Sequence, residues 1–134
     1  MLDPMQTALV DYRLERSRVN LESAVRELND GDCKMSAADS YYCIFHAMRA
    51  VLATVGFDSK KHSGVIAAFR ERYIKTGIFP EELSDIVGSA FKVRGDSDYK
   101  DFYVISKADT AEQIENARTF LTAVEAYIKT LQSD

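Results

Sequence analysis

Residues 36–55, SAADSYYCIFHAMRAVLATV, decide the fold of this chain. Ser36 is placed to cap a helix that runs to Val55, and Asp39 stands three residues on, where the acid of a capping box belongs. Apolar side chains cover most of the circumference, and only Asp39 and Arg49 carry a formal charge. A helix that is apolar on nearly every side is buried among several neighbours or in a dimer interface. The stretch therefore predicts a central, buried helix.

The segments on either side of this helix repeat the helical period of about 3.6 residues. These segments are 5–29, 64–76, Pro80 to Arg94 and 110–131. Glycine, proline and small polar residues separate them at 29–32, 56–58, 77–80 and 95–98. The last segment alternates steps of three and four residues, as helix bundles do. The sequence predicts an all-α fold, a four-helix up-and-down bundle with a short additional helix, in one domain over residues 1–134.

Composition limits the classes of partner. The 134 residues carry 17 Lys and Arg against 21 Asp and Glu, a net charge of −4, which argues against a protein that binds bulk duplex DNA. The clearest excess of basic over acidic residues, five against two, lies between residues 58 and 75. Residues 44–55 are the longest strongly apolar run and are too short to span a bilayer. We expect a cytoplasmic protein with no membrane contact and no signal sequence, in which Cys33 and Cys43 are reduced.

Motifs that indicate a particular chemistry are missing from the chain. It contains no Gly-x-Ser-x-Gly elbow, no phosphate-binding loop, no Gly-x-Gly-x-x-Gly turn and no His-Glu-x-x-His pair. Two cysteines and two histidines without ligand spacing do not predict a zinc site. We expect no metal and no cofactor.

Polar residues on the second helix form the first candidate site. Asp39, Tyr42, His46 and Arg49 are spaced so that all four face one direction. Their ordinary role would be structural, with His46 and Arg49 paired inside the bundle to Asp39 or a carbonyl. In the functional interpretation, His46 supplies a proton-transfer group and Arg49 an anion-binding fork in a groove.

His62 lies in Lys60-Lys61-His62-Ser63-Gly64, just before the third helix. Either Ser63 or His62 caps that helix within a solvated loop, or Lys61 and the free N–H groups of the helix attract an anion.

Arg94-Gly95-Asp96-Ser97-Asp98-Tyr99 interrupts an apolar stripe and forms the third candidate. In the structural interpretation it is a turn, Asp96 or Asp98 caps the next segment, and Tyr99 docks on the core. In the functional one, Arg94, Asp98 and Tyr99 contact RNA or a nucleotide.

Three stretches of the chain resemble the HEPN domain (higher eukaryotes and prokaryotes nucleotide-binding): SYYCIFHAMRAVL at 40–52, KHSGVI at 61–66 and RGDSDY at 94–99. The last resembles the Arg-x-x-x-Asp-Tyr element of a prokaryotic branch of small proteins, and the likeness covers about residues 8–130. It implies a helical bundle that forms homodimers. Many such proteins are metal-independent endoribonuclease toxins. They are often paired with a minimal nucleotidyltransferase that in some pairs adenylylates a tyrosine, whereas others only bind nucleotides or proteins.

The chain departs from the ribonuclease pattern, in which a histidine follows the late arginine after four to six residues. Tyr99, Lys100 and Asp101 occupy those positions after Arg94. Our main hypothesis is therefore a nucleotide- or RNA-binding or protein-interaction module in a toxin–antitoxin-like pair, without standard ribonuclease activity. Its expected partners are a second copy or a minimal nucleotidyltransferase. The candidate ligand-binding residues are Arg94, Asp98, Tyr99, His46, Arg49, His62 and Lys61, and adenylylation is expected at Tyr99 or Tyr103.

Two other hypotheses remain open at this point. One is an RNA-cleaving toxin that uses Arg94 with a displaced histidine, His46 or His62. The other is a scaffold without a ligand. Homodimerisation has a further argument, because Tyr41, Tyr42, Phe45 and Met48 cover more surface than a four-helix core usually needs.

Overall fold

Five α-helices build the molecule, and the computed structural model describes residues 2–132. They are α1 (Pro4–Asn29), α2 (Cys33–Ala53), α3 (His62–Phe69), α4 (Glu81–Tyr99) and α5 (Lys107–Gln132), and a π-helical turn, Arg70–Ile74, continues α3. No strand occurs in the described part, so the all-α prediction is confirmed. Within the same range no helix combines the length and apolarity that crossing a bilayer requires.

The start of α2 differs from the prediction. Asp32 is the N-cap, and its carboxylate accepts the Met35 N–H at 3.1 Å. Ser36 therefore lies inside the helix, fully buried, and its hydroxyl donates to the carbonyl of Ala24 at 2.7 Å. Capping at Ser36 was wrong because Asp32, directly after the left-handed Gly31 (φ +84°), is the first residue able to cap.

Helix α4 does not end at Gly95, as the turn residues predicted, but continues to Tyr99. Ion pairs one turn apart, Lys92–Asp96 at 2.9 Å and Asp96–Lys100 at 3.3 Å, bridge the glycine and support the helix across it. Asp96 and Asp98 lie within the helix and so do not cap a following segment. Tyr99 is 87% exposed and does not dock on the core, which also corrects the prediction.

Helix α2 is the centre of the bundle, as predicted, and packs against α1, α3, α4 and α5. Thirteen of its 21 residues are buried. The single chain already buries Tyr41, Phe45 and Met48. The argument for a dimer from surplus apolar surface on α2 therefore loses its basis, and homodimerisation stays a prediction.

Candidate functional site

An aromatic face of α2 holds His62, the first residue of α3. The imidazole stacks on the Phe45 ring, with ring centroids 4.0 Å apart and planes inclined by 16°. Its Nδ1 lies 2.7 Å from the hydroxyl of Tyr41. Nε2 has no hydrogen-bond partner among residues 2–132 and is not one of the atoms closed to solvent. Stacking and the hydrogen bond fix the ring and leave one nitrogen available to a ligand.

Arg94 reaches the same aromatic face from α4. Its guanidinium carbon lies 5.1 Å from the ring centroid of Tyr41 and 5.4 Å from that of Tyr42. Nη2 donates to the hydroxyl of Tyr42 at 3.2 Å, and Nε lies 3.3 Å from a carboxylate oxygen of Asp98. The Tyr41 ring is thus contacted by both Arg94 and His62. We call His62, Arg94 and the Tyr41–Tyr42 pair the upper site.

The charge states of the upper site are set by its surroundings. Burial lowers the pKa of His62, and the positive charges of Arg94 and Arg49 lower it further, so the imidazole is neutral at pH 7. Burial raises the pKa of Tyr41 to about 12, which keeps its phenol protonated. A guanidinium and a neutral imidazole beside aromatic rings can bind a phosphate, and the imidazole can also accept a proton.

A second cluster lies one to two turns further along α2. Arg13 of α1 is 6% exposed and donates to the carbonyl of Arg49 at 3.0 Å. Both guanidinium groups also contact Asp58, at 3.3 Å from Arg13 and 3.2 Å from Arg49. This carboxylate is more than half exposed and follows α2 in the chain. Arg49 is therefore paired to Asp58 and not to Asp39.

His46 lies in this second cluster and is not paired. Its Nδ1 and the Nε of Arg49 are buried without a hydrogen-bond partner within residues 2–132. Burial lowers the pKa of His46 to about 4, and the charges of Arg16, Arg49 and Arg13 contribute. The structural interpretation, in which His46 pairs with Asp39 or a carbonyl inside the bundle, is therefore wrong for the Nδ1 atom of His46.

The polar face predicted on α2 is divided by its neighbours. Asp39 accepts a hydrogen bond from Asn20 at 2.9 Å. Beside it, the pKa of Glu27 is raised to about 7, first by burial and then by Asp39. Tyr42 belongs to the upper site, and His46 and Arg49 to the second cluster. Residues that share one direction on α2 thus meet different partners.

The remaining predicted residues lie around the upper site or away from it. Lys61 is exposed and precedes α3 without a side-chain cap, so capping by Ser63 or His62 was wrong. Asp98 pairs with Arg94. Tyr99 and Tyr103 lie at the end of α4 and in the connection after it, and within the described range no hydrogen bond or ring contact joins either of them to His62 or Arg94.

Sequence reasoning missed Arg13 and Arg16, which were not among the predicted site residues. A signal for Arg13 was present: it stands three residues after Val10 and four before Ser17, and both of these are fully buried. Arg16 carries no such signal, because only the approach of α2 gives it His46 as a neighbour. Similarly, the proximity of His62 to Arg94 depends on the packing of α3 and α4 on α2.

Comparison with known proteins gives consistent matches. The HEPN domain family matches residues 10–127. A Thermotoga maritima protein named UPF0332 protein is 30% identical over 124 residues, which cover 92% of this chain and 94% of the relative. A Methanocaldococcus jannaschii protein named as a candidate toxin is 27% identical over 86% of this chain and 78% of its own. The crystal structure of TT1696 from Thermus thermophilus superposes with a TM-score of 0.72 at 21% identity, over 87% of this chain and 96% of that one.

Proposed function

Since this chain belongs to the HEPN family, we propose that it is a nucleotide- or RNA-binding module whose phosphate-binding groups are Arg94 and His62. The observation that carries the proposal is the convergence of these two residues, from α4 and α3, on the Tyr41 ring. On a chain of net charge −4, this arrangement brings a guanidinium and an accessible imidazole nitrogen together. Relatives named as candidate toxins support a toxin-like biological setting.

The neighbours of Arg94 orient its guanidinium but do not occupy all of its N–H donors. A guanidinium has five N–H donors in a fixed fork. Tyr42 accepts from Nη2, Asp98 lies next to Nε, and the hydroxyl of Tyr41 is a third hydrogen-bonding neighbour, so three partners within residues 2–132 leave part of the fork unused. The aromatic rings hold the group in place, which reduces the side-chain entropy that phosphate binding would cost. The phosphate of a nucleotide is the ligand that best fits this fork.

Binding to the upper site can be tested with AMP by calorimetry and with a fluorescein-labelled RNA decamer by fluorescence anisotropy. The decamer carries 2′-O-methyl groups, so it cannot be cut through its 2′-oxygen. Arg94→Ala should weaken both interactions about 10- to 100-fold, because a hydrogen bond to a charged group is worth about 1.5–3 kcal/mol. Arg94→Lys should recover only part of the affinity, since an ammonium has no fork.

Arg118→Ala is the matched control. It removes the same charge from an exposed side chain of α5, which pairs only with Glu115 within the described residues. Affinity within twofold of wild type is expected for this variant. If wild-type protein binds neither AMP nor the decamer at millimolar concentration, the proposed function is wrong.

Endoribonuclease activity is the second candidate function, and the position of His62 favours it. The late arginine lacks a histidine after it in sequence, yet His62 shares the Tyr41 ring with it. In the tautomer whose Nδ1–H donates to the Tyr41 hydroxyl, the neutral imidazole of His62 can act as a general base through Nε2, and Arg94 would stabilise the developing negative charge. With unmodified RNA in EDTA, His62→Ala should then abolish cleavage, while it weakens decamer binding less than Arg94→Ala does. Wild-type protein that binds RNA without cutting it would eliminate this candidate.

The partners are also proposals. A homodimer would have twice the mass of 15.1 kDa in light scattering at micromolar concentration, and a 15.1 kDa particle would exclude it. Adenylylation by a partner nucleotidyltransferase requires an accessible tyrosine. Tyr99 satisfies this condition, since it is 87% exposed, and Tyr103 is half-buried. Intact mass after co-expression with such a partner, compared between wild type and Tyr99→Phe, tests this step.

A further inference from the structure

A cavity of about 350 Å³ opens between α1 and α2, beside the upper site. Its lining consists of Leu9, Tyr12, Arg13, Arg16, His46 and Arg49. We call it the α1–α2 pocket. Three of the six lining residues are arginines, and no carboxylate belongs to the lining. Such a cavity has the electrostatic character of an anion site.

The positive charge of the pocket is only partly neutralised. Asp58 is shared between Arg13 and Arg49, so one carboxylate serves two guanidinium groups. Arg16 forms no hydrogen bond or ion pair with any of residues 2–132, and its charge acts on His46. Two of three positive charges therefore have no counter-charge in the described chain.

Two buried atoms also lack partners in the described part of the pocket, the Nε of Arg49 and the Nδ1 of His46. Buried polar atoms in folded proteins almost always have a hydrogen-bond partner, and an unmade bond costs about 1–3 kcal/mol. Both atoms are closed to solvent, so an oxyanion in the pocket would contact the outer N–H groups of Arg49 and Arg16. The unneutralised positive charge thus points to an oxyanion as the ligand.

The rim of the pocket adds an aromatic surface. Tyr12 is 61% exposed, next to Arg13 and Arg16 in the cavity lining. Exposed aromatic rings beside a cationic groove are typical of proteins that bind single-stranded nucleic acid, because each base can stack on a ring while the cations contact phosphates. An isolated inorganic anion has no base that could stack on this ring.

The pocket and the upper site lie along one side of α2. Arg49 contacts Phe45, with its guanidinium carbon 5.9 Å from the ring centroid, and Phe45 stacks on His62. Tyr42 and Arg49 are separated by about 10 Å along the helix axis, at about 1.5 Å per residue. A strand of a few nucleotides is long enough to contact both.

We propose that the α1–α2 pocket binds a second phosphate of the same single strand, with Arg16 and Arg49 on the phosphate and Tyr12 under a base. The ligand is then an oligonucleotide and not a mononucleotide. This inference rests on the proposed function, because it adds a second contact to the strand held by Arg94 and His62.

The test compares the 2′-O-methyl decamer with AMP for wild type, Arg16→Ala and Arg118→Ala. Arg16→Ala should weaken decamer binding about 5- to 10-fold and reduce the slope of log K against log salt by about 0.7, the value for one phosphate contact on a single strand. AMP affinity should stay within twofold of wild type, because AMP occupies only the upper site. Arg16 has no hydrogen bond or ion pair to lose within residues 2–132, so the fold is retained.

Substitutions of Tyr12 test the same proposal independently of Arg16. Tyr12→Ala should weaken decamer binding at least fivefold, since stacking of one base contributes about 1–3 kcal/mol, and Tyr12→Phe should retain most of the affinity. If wild type binds the decamer and Arg16→Ala and Tyr12→Ala bind it no more weakly than Arg118→Ala, the second phosphate site is wrong and the upper site stands. If wild type binds AMP but not the decamer, the second phosphate site is wrong and the proposed function stands, and if it binds neither, both proposals fall.

Discussion

The two ends of the polar face of α2 differ in charge and in their neighbours. At the first end, Asp39 accepts a hydrogen bond from Asn20 of α1 and lies beside Glu27 of the same helix. At the other end, His46 and Arg49 meet arginines of α1 beside an open cavity. Both ends contain buried atoms without partners in the described chain: Glu27 Oε1 at the first, and His46 Nδ1 and Arg49 Nε at the second.

Burial moves the pKa values at the two ends in opposite directions. Burial and the neighbouring carboxylate raise the pKa of Glu27 to about 7, whereas burial and neighbouring arginines lower the pKa of His46 to about 4. Between these two values both groups are neutral, for the same physical reason: the interior disfavours the charged form. A cavity lined by His46 and Arg49 opens at the basic end, and this end is therefore our candidate for a second binding site.

The largest effect is expected from Tyr41, which holds His62 and supports Arg94 at the basic side of α2. Tyr41→Ala should lower the free energy of unfolding by about 3–5 kcal/mol, because it empties a fully buried aromatic position. Tyr41→Phe removes only the hydroxyl bound to His62 and should cost about 1 kcal/mol. Urea denaturation measures both. Equal losses for the two variants would mean that the ring does not support the site.

The acidic end should respond to removal of its charge. The raised pKa of Glu27 gives stability that is present below its ordinary pKa of 4.5 and is lost as the pH rises through about 7. Glu27→Gln should therefore be more stable than wild type at alkaline pH, by about 1–2 kcal/mol, since one pKa unit is worth about 1.4 kcal/mol and solvent screens part of it. Near the ordinary pKa the difference should largely vanish. Thermal unfolding at the two pH values checks this, and a constant difference would contradict it.

The basic end should show the opposite pH dependence, with a smaller effect. The unfolded state binds a proton at His46 below its ordinary pKa of 6.5, and the folded state does so only near pH 4, so stability falls as the pH drops through that window. His46→Asn has no imidazole to titrate. Midway between the two pKa values, it should therefore have lost about 0.5–1 kcal/mol less of its free energy of unfolding than wild type. Titration of the imidazole C–H signals by NMR provides the direct measurement. A midpoint at or near the ordinary value for His46 would show that the pocket does not exclude its charge.

Much of the fold was predictable because it depends on local pattern. The period of apolar residues placed all five helices, since a helix that packs on a core must repeat about every 3.6 residues. The errors fell at helix ends, where single side chains decide: Asp32 capped α2 ahead of Ser36, and ion pairs carried α4 past Gly95. The polar face of α2 was also correctly recognised. Its partners were not, because they come from other helices.

The sequence by itself determined most of the apolar residues that face the core and that α2 lies at its centre, because side-chain hydrophobicity and spacing are local properties. Only the tertiary structure decided that His62 and Arg94 meet at Tyr41, and that Arg13 and Arg16 surround His46. These contacts join residues from different helices, so they depend on how helices cross and not on the order of residues along any one of them. The chemistry of the site therefore depends on side chains that different helices bring together.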